Sequence, residues 1–328
     1  MRHLSDSILI VSLLLTFNAC STVNVPITVT HPPELNMSSF KQIAIGHIDG
    51  RVGPNFSDNL KYRLVHAKTY QILDRNQVND LLREHEISNS DLANPGKRLK
   101  LGKFMSASVL IGGRADENYK EDIKTRDIEC KDKDGKKYPC TSYTRTGTIT
   151  LSGSIDVTNV ETGHIMTTKL LATECSDSSY ATDSQPSAID KNKISAECLN
   201  KNIEMVFRTV SPWSETIKVR FKKEKSLPEL ENGINMAKLG DLERAIQMFI
   251  KAVQTAEANA SIAPKAKAEA YWNLGLAYEY THQFDKASDS FEKGLNYSPD
   301  SRFIEEKKNV DKMRREQAQL KEQMSGSP

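Results

Sequence analysis

The sequence predicts a layered α/β domain with a mixed sheet, followed by an all-α domain of helical repeats. Three observations carry this expectation: short strand and helix patterns alternate from Phe40, a long period-two stretch begins at Arg145, and from Leu227 the composition shifts to Ala, Leu, Lys and Glu with helical periodicity. With 328 residues the chain exceeds one ordinary core and has room for two domains and a tail.

In the first domain, "KQIAIGHIDG" alternates Ile43, Ile45 and His47 with smaller neighbours and ends at Gly50, which reads as a strand and turn. Phe56, Leu60 and Leu64 then mark one face of a helix. "TYQILDR" is a second short strand, and Val78, Leu81, Leu82 and His85 mark a second helix over 76–87. A third helix near 97–105, after Pro95-Gly96, leads into the strand "ASVLIGGR". From Arg145, Ile149, Leu151, Ile155 and Val157 alternate with Thr and Ser, so one face is buried and one is wet. Thr162-Gly163 turns the chain, "IMTTKLLATE" returns, and Ile194, Cys198, Leu199, Ile203, Val206, Phe207 and Val210 form a helical stripe before Pro212.

Net charge is +2, with no strong polyanion signal, so no nucleic-acid partner is expected. The apolar run 8–17 is about half of the ~20 residues that span a bilayer, and it ends on Asn18-Ala19-Cys20. That junction resembles a bacterial lipobox. The resemblance implies a signal peptide over 1–19, cleavage before Cys20, and diacylglycerol and fatty acyl (palmitate-type) chains on Cys20. Ser21 resembles the context that sorts lipoproteins to the outer membrane, facing the periplasm. Several acyl chains give stable anchoring. The Pro-, Thr- and Asn-rich stretch 20–39 reads as a lipid-anchored tether.

With Cys20 set aside, Cys130, Cys140, Cys175 and Cys198 remain, an even number that suits an oxidising compartment. Four cysteines allow three pairings. A three-residue hairpin loop over Asp134, Gly135 and Lys136 would set Cys130 opposite Cys140, which favours Cys130–Cys140 with Cys175–Cys198. No C-x-x-C spacing or neighbouring histidine points to zinc, and neither a metal nor a cofactor is expected.

"IAIGHIDG", "YQILDRNQVNDLLREHEI", "LGKFMSASVLIGG" and "IDVTNVETGHI" fall in the order and spacing of the CsgG-like (curli production assembly/transport) lipoproteins, which this region, 40–220, resembles. The lipoprotein activator of a cell-wall synthase has a related fold. The resemblance implies a periplasmic α/β domain and, for the curli-secretion member, a homo-oligomeric outer-membrane pore built from two inserted hairpins. Here the chain departs from the pattern. Of the 18 residues 120–137, 13 are charged, and 176–185 reads "SDSSYATDSQ". A charge facing mid-bilayer costs about 2–4 kcal/mol, so such hairpins would not insert.

Within the helical region that begins at Leu227, "AEAYWNLGLAYEYTHQFDKASDSFEKGLNYSPD" resembles a tetratricopeptide repeat, with Tyr271, Leu274, Gly275, Tyr278, Phe284, Ala287, Phe291 and Pro299 on signature positions. His282 replaces a usual glycine and Gly294 a usual alanine. An earlier copy places Gly233, Gly240, Ala245, Phe249 and Ala252 at corresponding sites, 42 residues back rather than 34. The repeats are assigned to 227–300. Residues 301–328 form a charged C-terminal helix and tail, read as solvated with sparse Val310, Met313 and Leu320.

No enzyme is expected. His47 and Asp49 are ordinary strand neighbours without a nucleophile motif, His66 and His85 read as packing residues, and Gly112-Gly113 lacks the rest of a phosphate loop. Asn259-Ala260-Ser261 matches an N-glycosylation sequon that should be silent in a bacterium. Three functions compete: a scaffold for envelope assembly or secretion that binds a partner through its repeats, an oligomeric secretion channel, and an activator of a cell-wall synthase.

Overall fold

The structure is a computed structural model that describes residues 22–73, 80 and 108–325. The expectations for 1–19, Cys20, His85, nearly all of the helix over 76–87 and the helix near 97–105 lie outside the described residues. In chain order the strands are β1 (Thr22–His31), β2 (Gln42–Asp49), β3 (Gln71–Leu73), β4 (Ser108–Lys131), β5 (Lys137–Asn159), β6 (Ile165–Thr182) and β7 (Trp213–Lys222). The helices are α1 (Gly53–Ala67), α2 (Lys191–Val210), α3 (Pro228–Lys238), α4 (Leu242–Ala258), α5 (Pro264–Tyr280), α6 (Phe284–Tyr297) and α7 (Ser301–Ser325). Two units result. One holds the described residues through Val29 with Glu215–Arg315, the other Thr30–Ser214 with the described residues from Glu316.

The second unit is the expected α/β layer. Its five-stranded sheet runs β3-β2-β4-β5-β6. β2 pairs in parallel with β3 and β4, whereas β4–β5 and β5–β6 are antiparallel. Ile43, Ile45 and Ile48 of β2 and Ile149, Leu151, Ile155 and Val157 of β5 pack with Phe56, Leu60 and Leu64 of α1 and Ile194, Ile203 and Val206 of α2. Period two on the strands meets period 3.6 on the helices, which is why one apolar layer forms. Asp190 caps α2 by accepting from the Lys193 amide. Gly113 lets β4 lie close to β5: its φ is +148, and a Cβ there would stand 2.1 Å from the Ser154 carbonyl oxygen.

β4 and β5 continue beyond this core as an arm. Residues 120–129 and 131–139 are exposed on both faces, and β6 pairs with β5 as far as Ser142↔Thr182, so 176–182 of the segment 176–185 extend a strand instead of forming a separate hairpin. The turn differs from the expected three-residue loop. Lys131 faces Lys137, leaving five residues, and the Asp132 carboxylate accepts from the amides of Asp134 and Lys136. Cys130 therefore faces Tyr138 and Cys140 faces Ile128, a diagonal rather than opposed placement, with Cα atoms 5.9 Å apart in the Cys130–Cys140 disulfide. Cys175 of β6 is bonded to Cys198 of α2.

In the first unit, the stretch expected as a tether contains β1. Val23, Val25, Ile27 and Val29 alternate with Thr and Asn, a period-two pattern masked by Pro26 and the Thr content. Thr22–Lys222, Thr28–Thr216 and Thr30–Ser214 side-chain bonds advance oppositely along β1 and β7, so the ribbon is antiparallel. Val25, Ile27, Val219 and Phe221 join the core of the helices.

Candidate functional site

The repeats assemble by inserting a phenylalanine into a glycine gap. A Cβ on Gly233 would meet the Phe249 ring at 2.4 Å, on Gly275 the Phe291 ring at 2.5 Å, and on Gly294 the Phe303 ring at 2.4 Å. The absence of a side chain lets each helix lie against the ring of a later one, which explains why Gly294 stands where alanine is usual. Ala245, Phe249, Ala287 and Phe291 are fully buried, Tyr271 and Leu274 nearly so, and Tyr278 and Phe284 pack at the margin of the same core. Pro299 lies exposed in the α6–α7 connection.

The 42-residue offset holds at the bond level. Gly240 donates to Ala237 and Asp241 to Met236, and His282 to Glu279 and Gln283 to Tyr278. Gly240 has φ +82 and His282 φ +61, so both ends of α3 and α5 close in the left-handed region. The surplus is shared between helix length and a loop: α4 has 17 residues against 14 in α6, α5 has 17 against 11 in α3, and the connection 259–263 after α4 is longer than 298–300 after α6. Between α4 and α5, Asn259 accepts from the Ser261 amide and hydroxyl, so the sequon is an Asx turn. α7 corrects the solvated reading of the C-terminal helix: Phe303, Val310, Met313 and Leu320 are buried along one stripe.

A cavity of about 310 Å³ opens beside these repeats, within the same unit. Lys218, Arg220 and Lys222 of β7 form one wall, Trp272, Leu276 and Tyr280 of α5 another, and Arg302 and Glu306 of α7 a third. The wall against α5 is made by side chains that read backbone. Trp272 Nε1 donates to the Arg220 carbonyl at 3.1 Å, and the Asn273 amide accepts from the Lys222 N–H and donates to the Lys222 carbonyl, both at 2.8 Å. Arg302 lies over the Trp272 ring at 4.6 Å and is held by buried Glu269 at 2.9 Å, so its charge is already matched. Lys218 and Arg220 are exposed and make no ion pair among the described residues.

Behind Glu306 sits Glu279, and Asn309 donates to both carboxyls, at 2.6 Å to Glu279 and 3.1 Å to Glu306. Burial, reinforced by Glu306, pushes the Glu279 carboxyl up to about 9, and burial raises Glu306 as well. Burial also raises the Tyr280 hydroxyl. The cavity thus joins aromatic walls, two cations without an ion pair and, next to Glu306, a carboxyl that holds its proton.

The residues weighed earlier for chemistry lie elsewhere. His47 Nε2 and Asp49 Oδ1 are 2.5 Å apart on the surface of β2. His66 is corrected from packing to surface: it is exposed, bonds the Tyr62 carbonyl at 2.7 Å and lies against the Tyr62 ring. Among the described residues no group of three or more His, Cys, Asp or Glu is placed to hold a metal ion. Trp272, Asn273, Arg302, Glu279 and Glu306 escape sequence reading. The signals available were the period-two cations of "KVRFK" and the i, i+4, i+8 spacing of Trp272, Leu276 and Tyr280.

Residues 24–126 match the family described as the curli production assembly/transport component CsgG, and residues 268–301 match the tetratricopeptide repeat. The chain therefore carries a CsgG-like domain and a tetratricopeptide repeat. The first match begins within β1. No curated protein matches the chain. Among solved structures it is similar to lipoprotein GNA1162 from Neisseria meningitidis, at 8% identity over 51% of this chain and 97% of that one, with a TM-score of 0.25. It is also similar to a putative neuraminyllactose-binding hemagglutinin homolog from Helicobacter pylori, at 10% identity over 55% and 84%, with a TM-score of 0.24. Likenesses this distant carry nothing about function.

Proposed function

We propose that this chain is a non-enzymatic lipoprotein of the bacterial outer membrane, anchored through acylated Cys20 and facing the periplasm, that serves as a scaffold or accessory factor in envelope assembly or secretion. Its helical repeats hold a partner protein. The observation that carries this reading is the union of a CsgG-like domain with a repeat pair whose side is open as an aromatic, cationic cavity. The apolar run that ends at Cys20 supports the anchor. The bonded pairs Cys130–Cys140 and Cys175–Cys198 fit an oxidising compartment such as the periplasm.

An oligomeric channel is disfavoured by the arm of β4 and β5. A lipid-facing strand presents an apolar residue at every second position, whereas this arm exposes Lys, Arg, Asp and Glu on both faces. The test is photo-cross-linking in intact envelopes, with the reactive residue placed at exposed Leu239 of the repeats, at exposed Ile304 of α7, or at exposed Tyr180 of β6. Adducts to a second protein from the helical positions support the scaffold. A ladder of self-adducts from Tyr180, with none from the helical positions, would replace it with the channel.

A further inference from the structure

The β1–β7 ribbon has two outer edges, and they are treated differently. Along a strand, the N–H and C=O of one residue point to one side and those of the next residue to the other. Arg220 and Lys222 turn theirs toward α5, where Trp272 bonds the Arg220 carbonyl and Asn273 bonds both the N–H and the carbonyl of Lys222. Thr216 and Lys218 share that parity, so their backbone groups face the same outer edge. No bond to those groups is present among the described residues. On β1 the outer edge carries Pro26, which has no N–H to offer, a common way of closing an edge to further pairing. One edge is thus blunted by proline and the other is half capped by side chains. An open stretch remains next to the cavity.

That stretch is cationic. Lys218 and Arg220 flank it, both exposed and unmatched, while Arg302 is matched by Glu269. We infer that the outer edge of β7 at Thr216 and Lys218 receives an extended acidic segment of a partner protein, which adds a third strand to the ribbon and sets carboxylates against Lys218 and Arg220. Main-chain bonds supply affinity without sequence preference, and the cations with the cavity behind them select acidic side chains. The inference rests on the partner-binding reading above and gives that partner a chemistry.

Fluorescence anisotropy of the full mature chain tests it, with a labelled ten-residue peptide of alternating threonine and glutamate as the probe. Its threonine–lysine counterpart and a form N-methylated at alternate residues serve as controls. The acidic peptide is expected to bind, and each control to bind at least ~10-fold more weakly. Lys218→Glu/Arg220→Glu changes only exposed side chains, and Thr216→Pro removes an outward N–H while keeping the backbone bonds to β1, at the loss of the Thr28–Thr216 hydroxyl contact. Each is expected to weaken binding by ~10-fold or more with an unchanged circular dichroism spectrum. No binding at millimolar peptide, or binding undiminished in both variants, overturns the proposal. So does binding of phosphatidylglycerol vesicles, lost in the double variant, in place of the peptide, since the cations would then belong to a membrane surface. Envelope adducts at Leu239 together with an insensitive peptide would remove this site and leave the scaffold standing.

Discussion

His282 occupies the left-handed backbone position that its counterpart Gly240 fills without a Cβ. Its ring contacts Phe284, which recovers part of the cost. His282→Gly is expected to stabilise the helical unit by up to about 1 kcal/mol in urea unfolding, and a loss would contradict the assignment. Glu279 sets a pH dependence. Its carboxyl rises from 4.5 to about 9 in the folded chain, so between those values the folded state binds more protons than the unfolded one. Stability is then full below about pH 4.5 and declines as pH rises toward about 9. Glu279→Gln keeps the acceptor for Asn309 and removes the titration. It should leave stability near pH 5 almost unchanged and raise it near pH 8 by on the order of 1–3 kcal/mol. Equal urea midpoints for the two proteins at both pH values would contradict this.

Helix pairs were the most legible elements, because Gly233 and Phe249 recur as Gly275 and Phe291 at one fixed offset, and each glycine meets its phenylalanine ring. β1 was hidden by proline and threonine, residues that suggest a loop by composition although their neighbours alternate. The register of the arm was hidden in its turn, where Asp132 accepts two amides and lengthens the loop to five residues. The buried stripe of α7 was hidden by charge: Phe303, Val310, Met313 and Leu320 are separated by runs of Lys, Glu and Arg. The cavity needed three elements distant in sequence to meet, and no local pattern announces that. The two disulfides occupy elements of different burial. Cys175–Cys198 ties β6 to α2 at the core, so Cys175→Ser/Cys198→Ser should lower unfolding free energy by about 2–4 kcal/mol. Cys130–Cys140 clips an arm solvated on both faces, and its removal should cost the core less than about 1 kcal/mol. Guanidinium unfolding of the two double variants compares them directly, and equal losses would show that the arm is part of the cooperative core.

At the scale of the whole molecule, chain order and contacts divide the work differently. β1 precedes the α/β unit in sequence yet packs in the core of the helical unit with β7, the strand that follows the α/β unit. The helical unit is therefore built from the N-terminal strand of the described chain together with Glu215–Arg315, and the repeats gain a two-stranded ribbon in place of the further helices that ~3 repeats would supply. A boundary drawn by composition alone at Leu227 separates β7 from the helices it belongs to. On the proposed reading the helical unit, with its ribbon and cavity, is where a partner is held. Photo-cross-linking in intact envelopes from Leu239 of α3 and Ile304 of α7, with Tyr180 of β6 as the comparison, decides whether it is. Adducts to a second protein are expected from Leu239 and Ile304; self-adducts from Tyr180 alone, with the helical positions silent, would overturn the scaffold.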